Sequence, residues 1–537
     1  MKLIYDVHDK PKFSEIIVFA IQQLLAIMAA TLVVPVIIGN GMSPAAALMG
    51  AGVGTLVYLA FTKGKSPVFL GSSFAFIGSM LAAFAGATSV ALGYMGLIIG
   101  AVLAGLVYVI IALAVKFAGV GWLNKLMPAV VIGPTVAIIG LSLAGNAVGD
   151  LQMGEVKRYY NPEDYQIVQV SSESMEITKH GTYLFNVTNN DNAAYVVVDK
   201  DADLSRPVAP EQVYTNIAVT VNADGTKTLS SDCGSVYLAL LCGLVTLAAT
   251  MLAATYGKKM TRLIPFIIGI LSGYVLASLF TVIGIATNND ALKIVDFSYF
   301  AALTQNGIGL STFFSVPDFT FLTAFGAFGE LSLSYVGTIA VAYVPVAFVV
   351  FAEHVADHKN ISSVIERDLL EDPGLSRTLL GDGVGSMAGA LFGGCPNTTY
   401  GESVGCVAIT GNASVITIFA AAIGAILISF INPFVAFVNT IPPCVMGGVC
   451  VALYGFIAVS GLKMVQQIDL EQNKNLFVVS TILIAGIGGL TLTFGKVSVT
   501  AIATALILGV LVNLLLKNAP ETNEAEEIAE VSEPVEE

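Results

Sequence analysis

Charge is scarce in this chain, and so are the residues from which enzymes build active sites. Asp, Glu, Lys and Arg make up 12% of the 537 residues while hydrophobic residues reach 55%, with mean hydropathy +0.82; soluble globular domains carry roughly a quarter charged residues. A soluble globular chain is excluded and a membrane-embedded one implied. Only four histidines and one tryptophan occur. The six cysteines, Cys233, Cys242, Cys395, Cys406, Cys444 and Cys450, show no CxxC spacing. Five of them lie in apolar segments, where Cys behaves as a small hydrophobe, so no redox or metal motif is read there. The net charge of −14 gathers largely in a polar insert around 146–233 and in the tail Glu521 to Glu537, and it says little about what the chain binds.

What is present is a succession of apolar runs, each long enough to cross a hydrocarbon core of about 30 Å as a helix. They fall near 15–38, 44–62, 68–88, 91–118, 125–145, 234–255, 263–285, 335–356, 376–393, 400–411, 413–432, 434–460, 475–495 and 497–516. The expected fold is therefore an all-α polytopic membrane protein with fourteen transmembrane segments. The first run follows the polar stretch Met1 to Glu15 and lacks a small-residue cleavage site, so it reads as a span rather than a signal peptide. Lys and Arg of the short loops (Lys2, Lys10, Lys12; Lys63, Lys65; Lys116, Lys125; Lys258, Lys259, Arg262; Lys359, Arg367, Arg377; Lys463, Lys474; Lys517) fall on one side if the count is even. Both termini are then cytoplasmic, and only Lys496 stands in an opposite short loop.

Three stretches lie outside the spans. The insert 146–233 alternates like strands at Tyr165 to Val170, Tyr183 to Val187, Ala194 to Val198 and Ile217 to Val221, with a turn signal at Asn222–Gly225, which predicts a small β-rich extracytoplasmic cap. Segment 286–334 reads as an outer connection, and the acidic tail 517–537 as solvated disorder on the cytoplasmic side.

The two halves repeat each other. Pro128 is followed five residues later by Gly133, and Pro442 by Gly447; Ser72-Ser73-Phe74-Ala75 matches Thr398-Thr399-Tyr400-Gly401 in type and order. Both pairs are seven spans apart, and an odd offset predicts two inverted seven-span repeats. Each motif interrupts an apolar run, in spans 3 and 10. Non-helical backbone at membrane depth survives only where protein or a water-filled cavity satisfies it, so the paired interruptions point to a midplane site. A half-strand followed by a half-helix in each would offer backbone N–H donors to ligand carbonyls; re-entrant or interfacial loops are the plainer alternative.

Two carboxylates belong to the same picture. Glu353 ends the run Tyr335 to Ala352, and Glu402 opens the segment after Tyr400-Gly401. An unpaired charge at the bilayer centre costs at least about 3 kcal/mol, which makes such residues functional by default. The alternatives are an interfacial Glu353 whose head reaches water and a Glu402 that only compensates a helix dipole. A neutral heterocyclic imide would suit the pair: its ring N–H groups donate to carboxylates, its carbonyls accept from half-helix amides, and its flat face packs on Phe74 or Tyr400. A carboxyl withdrawn from water favours its protonated form, which offers a route to proton coupling. Asp357 lies four residues after Glu353, on the same helical face.

The strings Val350-Phe-Ala-Glu353-His, Pro396-Asn-Thr-Thr-Tyr-Gly-Glu402, Asp372-Pro-Gly-Leu375, Leu70-Gly-Ser-Ser-Phe-Ala-Phe76 and Ala29-Ala-Thr-Leu-Val-Val-Pro35 resemble the nucleobase/ascorbate transporter family (nucleobase–cation symporter 2), in particular its bacterial uracil-transporting members. The resemblance covers almost the whole membrane chain apart from the insert and tail. It implies a core domain (spans 1–4 in 1–145 and spans 8–11 in 335–432) and a gate domain (span 5, spans 6–7 in 234–285 and spans 12–14 in 433–516). It also implies proton-coupled uptake of a nucleobase, most simply uracil, by movement of core against gate across the inner membrane, often in homodimers. Phe74 and Gly401 would present backbone amides to the base, Glu353 and Glu402 would bind it by side chain, and Ala30 and Tyr400 would line the pocket. Glu353, Asp357 and His358 are the candidates for proton coupling. Neither a catalytic, metal or cofactor site nor a nucleic-acid partner is expected.

Three departures from the family pattern bear on the proton route. The Gln-His pair of the first span is Gln22-Gln23; Asp357 stands where related chains carry His, with His358 one position on; and Glu402 is followed by Ser403 rather than Asn. The purine-type members of the family tend to carry Gln at the Glu402 position, which favours a pyrimidine over xanthine or another purine. Two other classes remain open: an anion carrier of the same architecture, and a membrane metallohydrolase built on His354-Val-Ala-Asp357-His358, whose histidines share one helical face.

Overall fold

The computed structural model describes residues 3–119, 128–170, 194–202, 212–214, 217–221, 227–258, 260–305, 307–494, 497–517 and 519. In chain order the first half holds α1 (Phe13–Ile38), α2 (Pro44–Phe61), β1 (Leu70–Ser72), α3 (Ile77–Ala85), α4 (Val90–Ala118), α5 (Ala129–Ser142) and α6 (Ala144–Asp150). The insert contributes β2 (Lys157–Tyr160), β3 (Tyr165–Val170), β4 (Ala194–Asp199), β5 (Val213–Tyr214), β6 (Ala218–Val221) and β7 (Lys227–Asp232). There follow α7 (Val236–Tyr256), α8 (Pro265–Ala286), α9 (Leu333–Ile365), α10 (Leu375–Gly393), β8 (Asn397–Thr399), α11 (Gly401–Thr410), α12 (Val415–Ile428) and α13 (Asn432–Asn439). The chain closes with α14 (Pro443–Val465), α15 (Asn473–Ile487), the hairpin β9 (Leu492–Phe494) and β10 (Val497–Val499), and α16 (Ala501–Leu515).

Local chemistry sets the helix ends. Glu15 reaches back to the Lys12 N–H at 2.9 Å at the start of α1, one half of a capping box. Ser43, Ser89 and Ser332 cap α2, α4 and α9 by accepting the N–H of Ala46, Leu92 and Tyr335, and Pro44 occupies the first turn of α2, where its missing N–H costs nothing. Among the described residues eight helices are long and apolar enough to span a bilayer, with four shorter apolar ones beside them. Ile110, Leu113, Leu279, Ile285, Ile484 and Leu514 are exposed on the outside of this bundle, as a lipid-facing surface requires. The protein is an integral multi-pass membrane protein.

Small residues bring the helices together. Helix α2 packs on α10 and α12, and α10 also packs on α4. A Cβ on Gly50 of α2 would stand 2.4 Å from the Gly389 carbonyl oxygen of α10, so the two backbones touch directly, the close approach that glycine permits inside membranes. Elsewhere α5 packs on α14 and α15, α7 on α8 and α14, and α15 on α16.

Several element ends differ from the sequence expectation, each for a visible reason. The run 434–460 is two helices, because Pro442 and Pro443 break the chain between α13 and α14 by removing backbone donors. The run 335–356 continues to Ile365: Lys359 and Asn360 are exposed while Ile361 and Ile365 are buried, so polar residues on one face do not end the helix. Helix α15 stops at Gly488-Gly489, with Gly489 at φ +69°, and the chain turns through β9–β10 before α16, where two continuous spans were expected. Helix α6 carries the fifth run on to Asp150, so the insert starts later than residue 146. The expected strand 183–187, the turn 222–225, the tail 521–537, His180, Lys125, Lys259 and Lys496 lie outside the described residues.

Among the described residues the insert forms two three-stranded sheets, ordered β2-β7-β6 and β3-β4-β5. Its stem is tied to the outer connection. The Glu155 N–H donates to the Ile294 carbonyl at 2.9 Å and the Cys233 N–H to the Val156 carbonyl at 2.7 Å, while Arg158 pairs with Asp290.

Candidate functional site

The two interrupted segments meet. Strands β1 and β8 pair antiparallel, with Leu70 opposite Thr399, Gly71 opposite Thr398 and Ser72 opposite Asn397. Three paired residues leave many backbone groups to satisfy, and neighbouring side chains do so, as buried backbone demands. The Leu70 N–H donates to Thr55 Oγ1 at 2.9 Å, the Asn397 N–H to Ser386 Oγ at 3.0 Å, and the Asn397 side chain to the Gly50 carbonyl at 2.9 Å. The Phe69 N–H donates to Ser403 Oγ at 3.0 Å, and Gln23 donates its amide to the same oxygen. Gln23, one of the departures noted above, thus ties α1 to the start of α11.

Each strand leads into a helix. After β1, Phe74 opens a short 3-10 turn that runs into α3; it is half-buried and meets Tyr454 of α14 edge to face, ring centroids 6.1 Å apart. After β8, Gly401 begins α11. Gly401 is exposed and Glu402 half-buried, so this helix start opens toward accessible space. Tyr400 is placed differently from Phe74. Its hydroxyl donates to the Ser72 carbonyl at 2.7 Å and a Cβ on Gly71 would fall 2.4 Å from its ring, so the buried ring props up β1. Ala30 is buried with it in one apolar cluster.

Helix α9 supplies the remaining groups, and its 3.6-residue period separates them onto two faces. Glu353 is half-buried and within electrostatic reach of Asp357, Glu402 and Asp382. Asp357 accepts from Thr399 Oγ1 at 2.8 Å, and its other oxygen lies 3.8 Å from where a Cβ on Gly401 would stand. These two carboxyls flank the start of α11. His354 and His358 occupy the neighbouring face, stacked with ring centroids 4.0 Å apart. His358 Nδ1 lies 2.8 Å from the His354 carbonyl, which can only accept, and its Nε2 lies 2.6 Å from the Tyr58 hydroxyl. His354 places Nδ1 2.6 Å from Asp382 Oδ2 and Nε2 3.0 Å from Thr378 Oγ1. All four ring nitrogens are committed to protein partners, which argues against the zinc reading.

Asp382 and Tyr454 are the neighbours that sequence reasoning missed. Asp382 is an ionisable residue inside the predicted run 376–393, and that signal sufficed to find it. Nothing in the sequence marks Tyr454 as the ring facing Phe74.

A helical membrane body centred on two paired half-strands, with carboxyls of α9 beside the start of α11, is the architecture of a solute carrier. The chain belongs to the Permease family (Xan_ur_permease), matched over residues 14–178 and 215–495, and so to the nucleobase/ascorbate transporters; it is a nucleobase transporter, not an enzyme. It is 34% identical over 526 residues to the uracil permease of Bacillus caldolyticus, covering 97% of each chain. It is likewise 34% identical over 519 residues to that of Bacillus subtilis, covering 96% of this chain and 95% of the relative. The uracil permease of Escherichia coli K12 is 30% identical over 513 residues, covering 95% and 93%. Among solved structures, the transmembrane domain of the cyanobacterial bicarbonate transporter BicA superposes with TM-score 0.52 at 12% identity, covering 94% of this chain and 99% of that one. Murine Slc26a9, an anion transporter, does so with TM-score 0.53 at 12% identity, covering 95% and 69%. At that identity the likeness concerns the fold alone.

Proposed function

We propose that this protein is a uracil–proton symporter of the inner membrane, with both termini cytoplasmic. The observation that carries the reading is the pairing of β1 with β8, which brings the turn opened by Phe74 and the start of α11 at Gly401 and Glu402 together against α9, the helix of Glu353 and Asp357. Relatives covering nearly the whole chain are named uracil permeases, which supports uracil as the base. In the site, Glu402 and Glu353 accept the ring N–H groups, the amides of Phe74 and Gly401 donate to the carbonyls, and Phe74 covers the ring. Tyr400 and Ala30 form the floor beneath β1.

In this reading the eight long helices and the four shorter apolar ones are joined by α10 and the β8–α11 segment as fourteen membrane segments. The antiparallel meeting of spans 3 and 10 is what two inverted seven-span repeats require. Helices α1–α4 and α9–α12 act as the core and α5–α8 with α14–α16 as the gate. Transport is the movement of the core, base in place, against the gate, with the contact between Phe74 and Tyr454 at the seam. Glu353 takes the coupled proton with Asp357 as its charged neighbour; His358 serves the seam of α9 with α2. The fold is shared with anion carriers, but two site carboxylates repel an anion, which favours a neutral base. Uptake of labelled uracil and xanthine in transport-deficient cells, with and without a protonophore, tests the assignment. Uracil should accumulate only with the proton gradient, and xanthine uptake without uracil uptake would overturn it.

A further inference from the structure

On the outer side, a cavity of about 330 Å³ lies between the connection that precedes α9 and helix α13, with Tyr299, Leu303 and Ser311 on one wall and Asn432, Val435 and Asn439 on the other. We propose that it is a second binding site, for the amide or imide edge of a neutral pyrimidine. The proposal rests on the reading of this chain as a pyrimidine carrier.

Its walls are fixed by hydrogen bonds. Asn432 accepts from Ser315 Oγ at 2.9 Å and donates to the Ser311 carbonyl at 2.8 Å, and the Ser315 N–H donates to the Phe430 carbonyl at 3.1 Å. Asn439, the last residue of α13, is half-buried, and among the described residues its carboxamide has no hydrogen-bond partner. A free carboxamide offers one donor edge and one acceptor side by side, the complement of a lactam or imide. Among the described residues no charged side chain lines the cavity, so none of them neutralises an ion there. The carboxylates of Glu155 and Asp296 stand near Tyr299 and oppose an anion. Tyr299 supplies an aromatic ring to the wall, and the volume is at the lower end of small-molecule pockets, ample for a base and sufficient for a nucleoside.

The location gives the site a consequence. One wall belongs to the link between α8 and α9, the other to the link between α12 and α14. These are two of the connections between the proposed gate and core, so an occupant bridging them holds their spacing and slows transport without competing at Glu402.

The test is equilibrium binding of labelled uracil and labelled uridine to the purified full-length protein, beside uracil uptake. A second saturable class of sites should persist in Glu402→Gln and weaken at least tenfold in Asn439→Ala. Val435→Trp, which fills the cavity by bulk, should abolish it, and both cavity variants should still take up uracil. If uridine alone fills this class, the occupant is the nucleoside; if uracil does, it is the transported base. Binding of both probes that is indifferent to Asn439 and Val435, or absent once Glu402 is changed, overturns the site. Failure of the carrier reading shows separately, as wild-type protein that takes up no uracil.

Discussion

Replacing Glu402 with Gln isolates one interaction of the proposed site. Gln keeps the shape of the side chain and exchanges a charged acceptor for a neutral one. A hydrogen bond to a charged group contributes about 1.5–3 kcal/mol and a neutral one about 0.5–1.5, so one ring N–H bond should lose about 1–1.5 kcal/mol. That is roughly a five- to twelvefold weaker Kd. Glu402 lies in the first turn of α11, and the lost attraction between its charge and the helix dipole, about 0.3–1 kcal/mol, acts on the empty and loaded protein alike. It lowers Tm slightly and cancels in the binding constant. The assay is equilibrium binding of labelled uracil to purified protein, with thermal melting to show that the variant is folded. A folded Glu402→Gln protein with unchanged Kd would refute direct acceptance of the base by Glu402.

Glu353→Gln mimics the protonated acid, so it should bind uracil with little change across pH 5–8 yet fail to concentrate it; gradient-driven accumulation in this variant moves the proton to Asp357. Thr399→Val removes the 2.8 Å bond to Asp357 and should cost about 1–3 kcal/mol, read as a lower Tm and a shifted pH profile of uptake; an unshifted profile would separate Asp357 from coupling. Gly50→Val must part α2 from α10 and should sharply reduce folded yield, while Gly337→Ala, where nothing lies within 4 Å, should be neutral; equal yields would contradict the packing. Replacing 157–232 by a short Gly/Ser linker should preserve insertion and uptake, because the Val156–Cys233 hydrogen bond already brings the stem ends together.

The sequence was most informative where a physical requirement is local. Apolar runs mark membrane helices because length and composition suffice, and the matched strings at 72–75 and 398–401 drew attention to the two segments that meet as β1 and β8. Glu353 stood out as a carboxylate at the end of an apolar run. What stayed hidden depends on which helix faces which. Asp357 and His358 are adjacent in sequence, but one residue turns a helix by about 100°, so only Asp357 reaches the start of α11. The pairing of His354 with Asp382 joins residues 28 apart on two helices, and no periodicity reports it. Tyr400 packs beneath β1 in the room that Gly71 leaves, a Cβ there falling 2.4 Å from the ring, and a contact between residues so far apart in the chain has no local sequence signal. The break at Pro442-Pro443 was legible in principle, because two consecutive prolines remove backbone donors, but the residues on both sides are apolar and the stretch reads as one run.

The central claim is that uracil and a proton cross together. Purified protein in sealed proteoliposomes gives the most direct measurement: labelled uracil uptake and luminal pH recorded in the same vesicles, with and without an imposed inward proton gradient. Coupling predicts uracil accumulation above equilibrium when the gradient is present, and luminal acidification when a uracil gradient alone is imposed. Uracil that only equilibrates, at the same rate with or without the gradient and with no change in luminal pH, would contradict it.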